Sequence, residues 1–183
     1  MRAFIALELP PVIKSKLMEV RYALANTGAN VKWVENDNIH LTLKFLGDID
    51  EVKIAGLKTA VKESANLWGA FRLGFGDLGA FPRRNNPRII WVGVKPDDQL
   101  SSLQQFLEEA AYRVGVERDE RKWSPHLTLG RVKYVEKNSP LITRLKSIKV
   151  ETLFTGINRL TLFESRLSPE GPTYIPVESV KLA

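Results

Sequence analysis

The chain has 183 residues, 44% of them hydrophobic and 26% charged, and no cysteine, so there is material for one packed domain while disulfides, thiol catalysis and cysteine-ligated metal centres are excluded. Its 27 Lys and Arg against 21 Asp and Glu give a net charge of +6, a bias that concentrates polyanions such as nucleic acid and equally serves plain solubility. No uncharged apolar run approaches the roughly 20 residues of a membrane helix, and Glu8 with Pro10-Pro11 interrupts the opening apolar run too early for a signal sequence; a cytoplasmic protein with no membrane association is the expectation.

Residues 2 to 9 read as a buried first strand, and Pro10-Pro11 introduces a helix over Val12 to Leu24 whose core face is Val12, Leu17, Val20 and Leu24, with Gly28 ending it. Val31 to Val34 and Ile39 to Leu46 alternate as strands, the second closed by Gly47-Asp48. Asp50 is placed to cap a helix reaching about Leu67, with Val52, Ile54, Leu57, Ala60 and Val61 at helical spacing. Two strands near 71 to 80 and 88 to 95 flank a loop, Phe81-Pro82-Arg83-Arg84-Asn85-Asn86-Pro87. Pro96-Asp97-Asp98 starts a helix to about Val114, Pro125 leads into another strand, and Pro140 opens a short helix to about Ile148. Strands follow at 149 to 155, 158 to 166 and 173 to 181, the last two joined by Ser168-Pro169-Glu170-Gly171-Pro172. Strands and helices interleave without a Gly-rich phosphate loop, which predicts an α+β fold with antiparallel sheets. No linker divides the chain, so residues 1–183 read as a single catalytic domain made of two pseudo-symmetric lobes.

The chemistry is carried by the tetrapeptide His-Leu-Thr-Leu, which occurs at 40 to 43 and again at 126 to 129 and contains both histidines of the chain. On a strand, His40 and Thr42 share one face while Leu41 and Leu43 face the core, and His126 and Thr128 repeat the division over Leu127 and Leu129. Each strand thus presents an imidazole and a hydroxyl about 7 Å apart. Two such strands facing a cleft suit in-line displacement at a phosphodiester. One histidine accepts a proton from the attacking oxygen, the other donates one to the leaving oxygen, and the hydroxyls hold the non-bridging oxygens. A lone His-x-Thr is a weak pattern, more often structural than catalytic; its duplication is what shifts the reading. The rival is a metal site, but neither copy has a carboxylate at a matching position, so no metal or other cofactor is expected.

These motifs, with Arg2-Ala3-Phe4-Ile5-Ala6-Leu7, Asn38 to Gly47, Pro87-Arg88-Ile89-Ile90-Trp91-Val92-Gly93-Val94, Pro125 to Arg131 and Leu167 to Tyr174, make a chain that resembles the 2H phosphoesterase superfamily. Within it, the chain looks like the RNA 2′,3′-cyclic phosphodiesterases, also called 2′-5′ RNA ligases. The resemblance implies a bilobal, pseudo-symmetric α+β fold with an antiparallel sheet and helices in each lobe and one His-x-Thr motif on either side of a central cleft. It implies hydrolysis of RNA ends bearing a 2′,3′-cyclic phosphate to a 2′-phosphate, with reverse 2′-5′ ligation as the companion reaction. Carried onto this chain, His40 is the proton donor and His126 the proton acceptor, while Thr42 and Thr128 bind phosphate oxygens. The same offset after each histidine holds Phe45 in one copy and Arg131 in the other, a ring to stack on a base and a guanidinium to neutralise phosphate. Strict alternation turns both away from the histidine face, so Arg131 needs a bulge or twist at Gly130, and Phe45 reads slightly better as core. Arg83 and Arg84 are candidate RNA-backbone contacts, with solvated charge as the plain alternative, and Trp91 reads as packing. A monomer is expected. Two alternatives stay open: a non-catalytic module that binds RNA ends or nucleotides, and a phosphodiesterase acting on 2′-5′ oligonucleotides.

Overall fold

The computed structural model describes residues 1–183 as two antiparallel sheets with four helices. The strands are β1 (Arg2–Glu8), β2 (Asn30–Trp33), β3 (His40–Asp48), β4 (Phe71–Arg83), β5 (Asn86–Val94), β6 (His126–Tyr134), β7 (Leu153–Ile157), β8 (Arg159–Ser168) and β9 (Gly171–Lys181); the helices are α1 (Pro11–Leu24), α2 (Glu51–Leu67), α3 (Asp98–Arg113) and α4 (Pro140–Ser147). One sheet runs β3-β1-β8-β9 and the other β2-β6-β5-β4-β7. Helices α2 and α3 cover the first sheet, α1 and α4 the second. We call these the first and second lobes. The α+β, two-lobed architecture expected of the chain is the one it has.

The pseudo-symmetry is specific. With β2, β7 and β9 set aside, each half runs strand, helix, motif strand, helix, strand: β1-α1-β3-α2-β4, then β5-α3-β6-α4-β8. In both halves the helix before the motif strand and the strand after the second helix lie in the opposite lobe. The lobes are therefore built by exchange, and one apolar cluster draws on both: Ile5, Leu41 and Leu162 belong to it, as do Ile90, Leu127 and Leu145.

Local chemistry explains the boundaries. The Asp50 side chain accepts from the Lys53 N–H and Asp97 from the Leu100 N–H, and Ser139 caps α4 through the Leu141 N–H with Pro140 in its first turn. Four expectations need correction. Ile13, not Val12, joins Leu17, Val20 and Leu24 in the core, and Val12 is exposed, because positions 13, 17, 20 and 24 form one helical stripe and Val12 lies about 100° round the helix from Ile13. Helix α1 ends at Leu24, where Ala25 turns extended, ahead of Gly28. The predicted loop 81 to 87 is mostly paired strand, with Pro82 opposite Pro87 and Arg83 opposite Asn86. Strand β7 starts at Leu153, not 149. No helix is long and apolar enough to cross a membrane.

Candidate active site

The two motif strands are neighbours across a central cleft, within 8 Å Cα to Cα, and their side chains follow the same burial sequence residue by residue. Their partners match too. In the first lobe Glu8 stands opposite His40, Ala6 opposite Thr42, Ile5 opposite Lys44 and Phe4 opposite Phe45. In the second, Gly93 stands opposite His126, Trp91 opposite Thr128, Ile90 opposite Gly130 and Ile89 opposite Arg131. Leu43 and Leu129, each the third residue after its histidine, are skipped in the register.

These skipped residues are β-bulges, and they decide what faces the cleft. An extra residue reverses the phase of the alternation downstream. His40, Thr42 and Phe45 therefore share one face of β3, and His126, Thr128 and Arg131 one face of β6. The bulge expected at Gly130 is present at Leu129-Gly130. Gly130 has no positive φ; it is required because a Cβ there would lie 2.8 Å from Val31 Cγ1 and 2.9 Å from the Trp33 ring. The core reading of Phe45 is overturned: it is 67% exposed, with its ring 6.3 Å from that of Phe4.

Both imidazoles are held in the same way. His40 Nδ1 lies 2.8 Å from the Asn38 carbonyl oxygen and His126 Nδ1 lies 2.7 Å from that of Ser124. A carbonyl only accepts, so Nδ1 carries the proton in each neutral ring and Nε2 keeps its lone pair. Aromatic rings fix the planes. Phe4 stacks on His40 at 4.6 Å and Tyr174 meets it edge-on at 5.1 Å, while Phe81 meets His126 edge-on at 5.1 Å. Burial lowers the His40 pKa to about 4, with the Asn38 hydrogen bond opposing and the Lys14 charge assisting. Free His40 is thus neutral at pH 7.

Strand alternation in the motifs could not find Tyr174, because it lies on β9 and enters the cleft only through sheet pairing, opposite Ser165. Burial raises its hydroxyl pKa, against the charges of Arg131 and Arg2, so Arg131 of the second lobe acts on a residue of the first. Trp91 packs on Phe81 at 5.2 Å and lies over Gly79, where any Cβ would come 2.2 Å from the indole. It also stands on the His126 face, 6.4 Å from that ring, with its Nε1–H buried and unpaired. The structure separates the two candidate loop arginines. Arg84 donates to the Leu78 carbonyl of its own hairpin, whereas Arg83, at the exposed hairpin end, makes no hydrogen bond or ion pair through its side chain.

Comparison with known proteins places this arrangement in context. The sequence profile described as LigT like Phosphoesterase matches twice, at residues 7–91 and 92–174. An RNA 2′,3′-cyclic phosphodiesterase of Methanothermobacter thermautotrophicus is 33% identical over 184 residues, covering 99% of this chain and 98% of that protein. One from Thermotoga maritima is 33% identical over 175 residues, covering 95% and 91%. Among solved structures, a Thermus thermophilus protein superposes with TM-score 0.85 at 25% identity, covering 100% of this chain and 98% of its own. Escherichia coli LigT complexed with 3′-AMP superposes with TM-score 0.78 at 26% identity, covering 99% and 97%.

Proposed function

The chain belongs to the LigT-like phosphoesterase family, and from that premise we propose that it is an RNA 2′,3′-cyclic phosphodiesterase that hydrolyses cyclic phosphate ends to 2′-phosphates with two histidines and no metal. The observation that carries this reading is the matched pair of motif strands, alike in register, bulge and carbonyl hold.

The reaction follows from the ring geometry. His126, protonated at Nδ1 toward Ser124, offers the Nε2 lone pair to a water at phosphorus. As the new P–O bond forms, Nε2 takes the water's proton and the P–O3′ bond breaks. His40 protonates the departing 3′ oxygen from its own Nε2. Thr42 and Thr128 donate to the non-bridging oxygens, and the Arg131 guanidinium offsets their charge. Burial keeps His40 neutral in the free protein, so its proton arrives with the anionic substrate, whose charge favours the imidazolium. An RNA 5′-hydroxyl in place of water follows the same steps in the same direction, His126 taking its proton and His40 protonating O3′, and forms a 2′-5′ bond. Phe45 is exposed on the cleft face, where a terminal base can stack. Arg83 provides the backbone contact, and a monomer working in the cytoplasm completes the reading.

One observation favours the exchanged roles. A histidine held neutral suits proton acceptance, and with His40 as base the cyclic phosphate would lie the other way round. Leaving-group chemistry decides between them, because exchanged roles with a turned substrate still give a 2′-phosphate: a cyclic substrate with sulfur in place of the 3′ oxygen, whose thiolate departs without a proton, is expected to rescue His40→Ala and not His126→Ala. Rescue of His126→Ala establishes the exchanged roles, a predominant 3′-phosphate from the natural substrate overturns cleavage at O3′, and RNA binding without any product establishes a binding module.

A further inference from the structure

Three consecutive residues of β3, immediately after the His40-Leu41 pair, are gripped from α3 and the crossover that leads to His126. Trp123 Nε1 donates to the Thr42 carbonyl at 3.3 Å. Gln104 Nε2 reaches the carbonyl of the bulged Leu43 at 3.5 Å. Lys44, with only 4% of its side chain exposed, places Nζ 2.6 Å from Glu108 Oε1 and 3.0 Å from the Glu117 carbonyl. Glu108 Oε1 in turn accepts the Asp119 N–H at 3.2 Å. The crossover from Val114 to Pro125 passes from the first lobe to the second. It is thus pinned near its beginning to the His40 strand at Glu117 and to α3 at Asp119, and again to the His40 strand at Trp123, three residues before His126.

The other lobe is gripped by main chain instead: the crossover from α1 to His40 contains β2, which pairs with β6, and the Val34 N–H donates to the Leu129 carbonyl at 2.8 Å. The residue equivalent to Lys44 is Gly130, whose missing side chain makes room for Val31 and Trp33. Stability does not account for the ion pair, since a buried pair contributes little beyond an apolar pair of similar volume. What the pair does supply is direction. An ammonium held by one carboxylate and one carbonyl fixes both in place, and the indole N–H fixes the segment that leads into His126.

We propose that this tether sets the separation of the two imidazoles, making Trp123, Lys44 and Glu108 positioning residues for the reaction. The inference rests on the two-histidine reading above. Neither Trp123 nor Lys44 faces the phosphate; each acts through the strand it holds. A displacement of about 1 Å between reacting groups costs up to about a hundredfold in rate, which is the scale at which a single interlobe hydrogen bond matters.

Trp123→Phe removes the bond to Thr42 and keeps an aromatic ring in place. On a cyclic mononucleotide, kcat is expected to fall between about tenfold and a hundredfold with KM within about twofold. The double variant Lys44→Met/Glu108→Leu removes the charges together, leaves no unpaired ion, and is expected to do the same. The second readout uses inorganic phosphate. The chain has only two histidines, so its imidazole NMR spectrum contains two ring systems, and phosphate is expected to shift both in the wild-type protein but predominantly one in either variant. Unchanged kcat with both rings still responding, in whichever variant folds, overturns the tether. If phosphate moves neither ring in the wild-type protein, the two-histidine reading itself falls, and the tether with it.

Discussion

Phe45 and Arg131 occupy the same place in the two halves. Each is the fifth residue after its histidine, and each is turned onto the cleft face by a bulge at Leu43 or Leu129. Position is shared and chemistry is not: one offers a ring, the other a guanidinium. The site is therefore symmetric in its histidines and threonines and asymmetric in what surrounds them, so the two orientations of an RNA end are not equivalent in it.

That difference predicts separable losses. Phe45→Ala is expected to raise KM for an oligonucleotide by about 1–3 kcal/mol of lost stacking, with thermal stability unchanged because the ring is mostly exposed. Arg131→Ala is expected to lower kcat/KM for every substrate, by about 1.5–3 kcal/mol for a charged hydrogen bond. Steady-state kinetics on a cyclic mononucleotide and a decamer check both. A Phe45→Ala enzyme with unaltered KM on both substrates removes the stacking role.

The histidines are expected to behave as one unit. His40→Ala and His126→Ala should each abolish most turnover, and the double variant should cost little more than the worse single one. No group of three or more His, Cys, Asp or Glu side chains is placed to ligate a metal, so the wild-type rate is expected to survive EDTA. Single-turnover assays with chelator present test both points; additive losses, or a rate restored only by zinc or manganese, would reject the scheme.

His40 also predicts an acid-sensitive component of stability. Its pKa is lowered from 6.5 to about 4 in the folded protein, so between those values the unfolded chain binds the extra proton. The contribution is complete above pH 6.5 and is lost as the pH falls through about 4, amounting at most to about 3 kcal/mol. Urea melts across that window should show the loss in the wild-type protein and a flatter profile in His40→Phe. Parallel profiles would mean that His40 titrates normally.

The loop arginines should part company in salt. Arg83→Glu is expected to flatten the dependence of RNA affinity on salt by about one unit of log–log slope or more. Arg84→Glu, which breaks a bond to the Leu78 carbonyl, should instead lower the melting temperature. Equal slopes in wild type and Arg83→Glu would remove Arg83 from the RNA path.

The histidine face was legible in the sequence because period-two alternation over four residues needs no knowledge of the partner strand. Phe45 was misread for the complementary reason. A bulge is a property of two strands, and nothing in Leu43-Lys44 announces that Ile5 will stand opposite the pair. Gly130 betrayed the bulge in β6 by being glycine; at the same place in β3 the residue is Lys44, whose burial depends on Glu108, 64 positions away. Helix α2 likewise fits its apolar spacing at Leu57, Ala60 and Val61, yet leaves Val52 exposed, because periodicity finds a face but not where its covering ends. Tyr174 and Trp91 escaped because their place beside the histidines is set by sheet order.

The exchange of elements between lobes bears on descent. Each half, from strand through motif strand to strand, lends its leading helix and trailing strand to the opposite lobe, so a half-length chain would lack both a helix and a strand of its own sheet. Two copies would supply one another's missing pieces. The arrangement is the one that joining the chains of a domain-swapped homodimer at the turn between β4 and β5 would give, and such a homodimer would have two identical histidines and no distinction between its ends. In a single chain the halves are free to differ, with Phe45 on one side, Arg131 on the other, and a lysine where its twin has none.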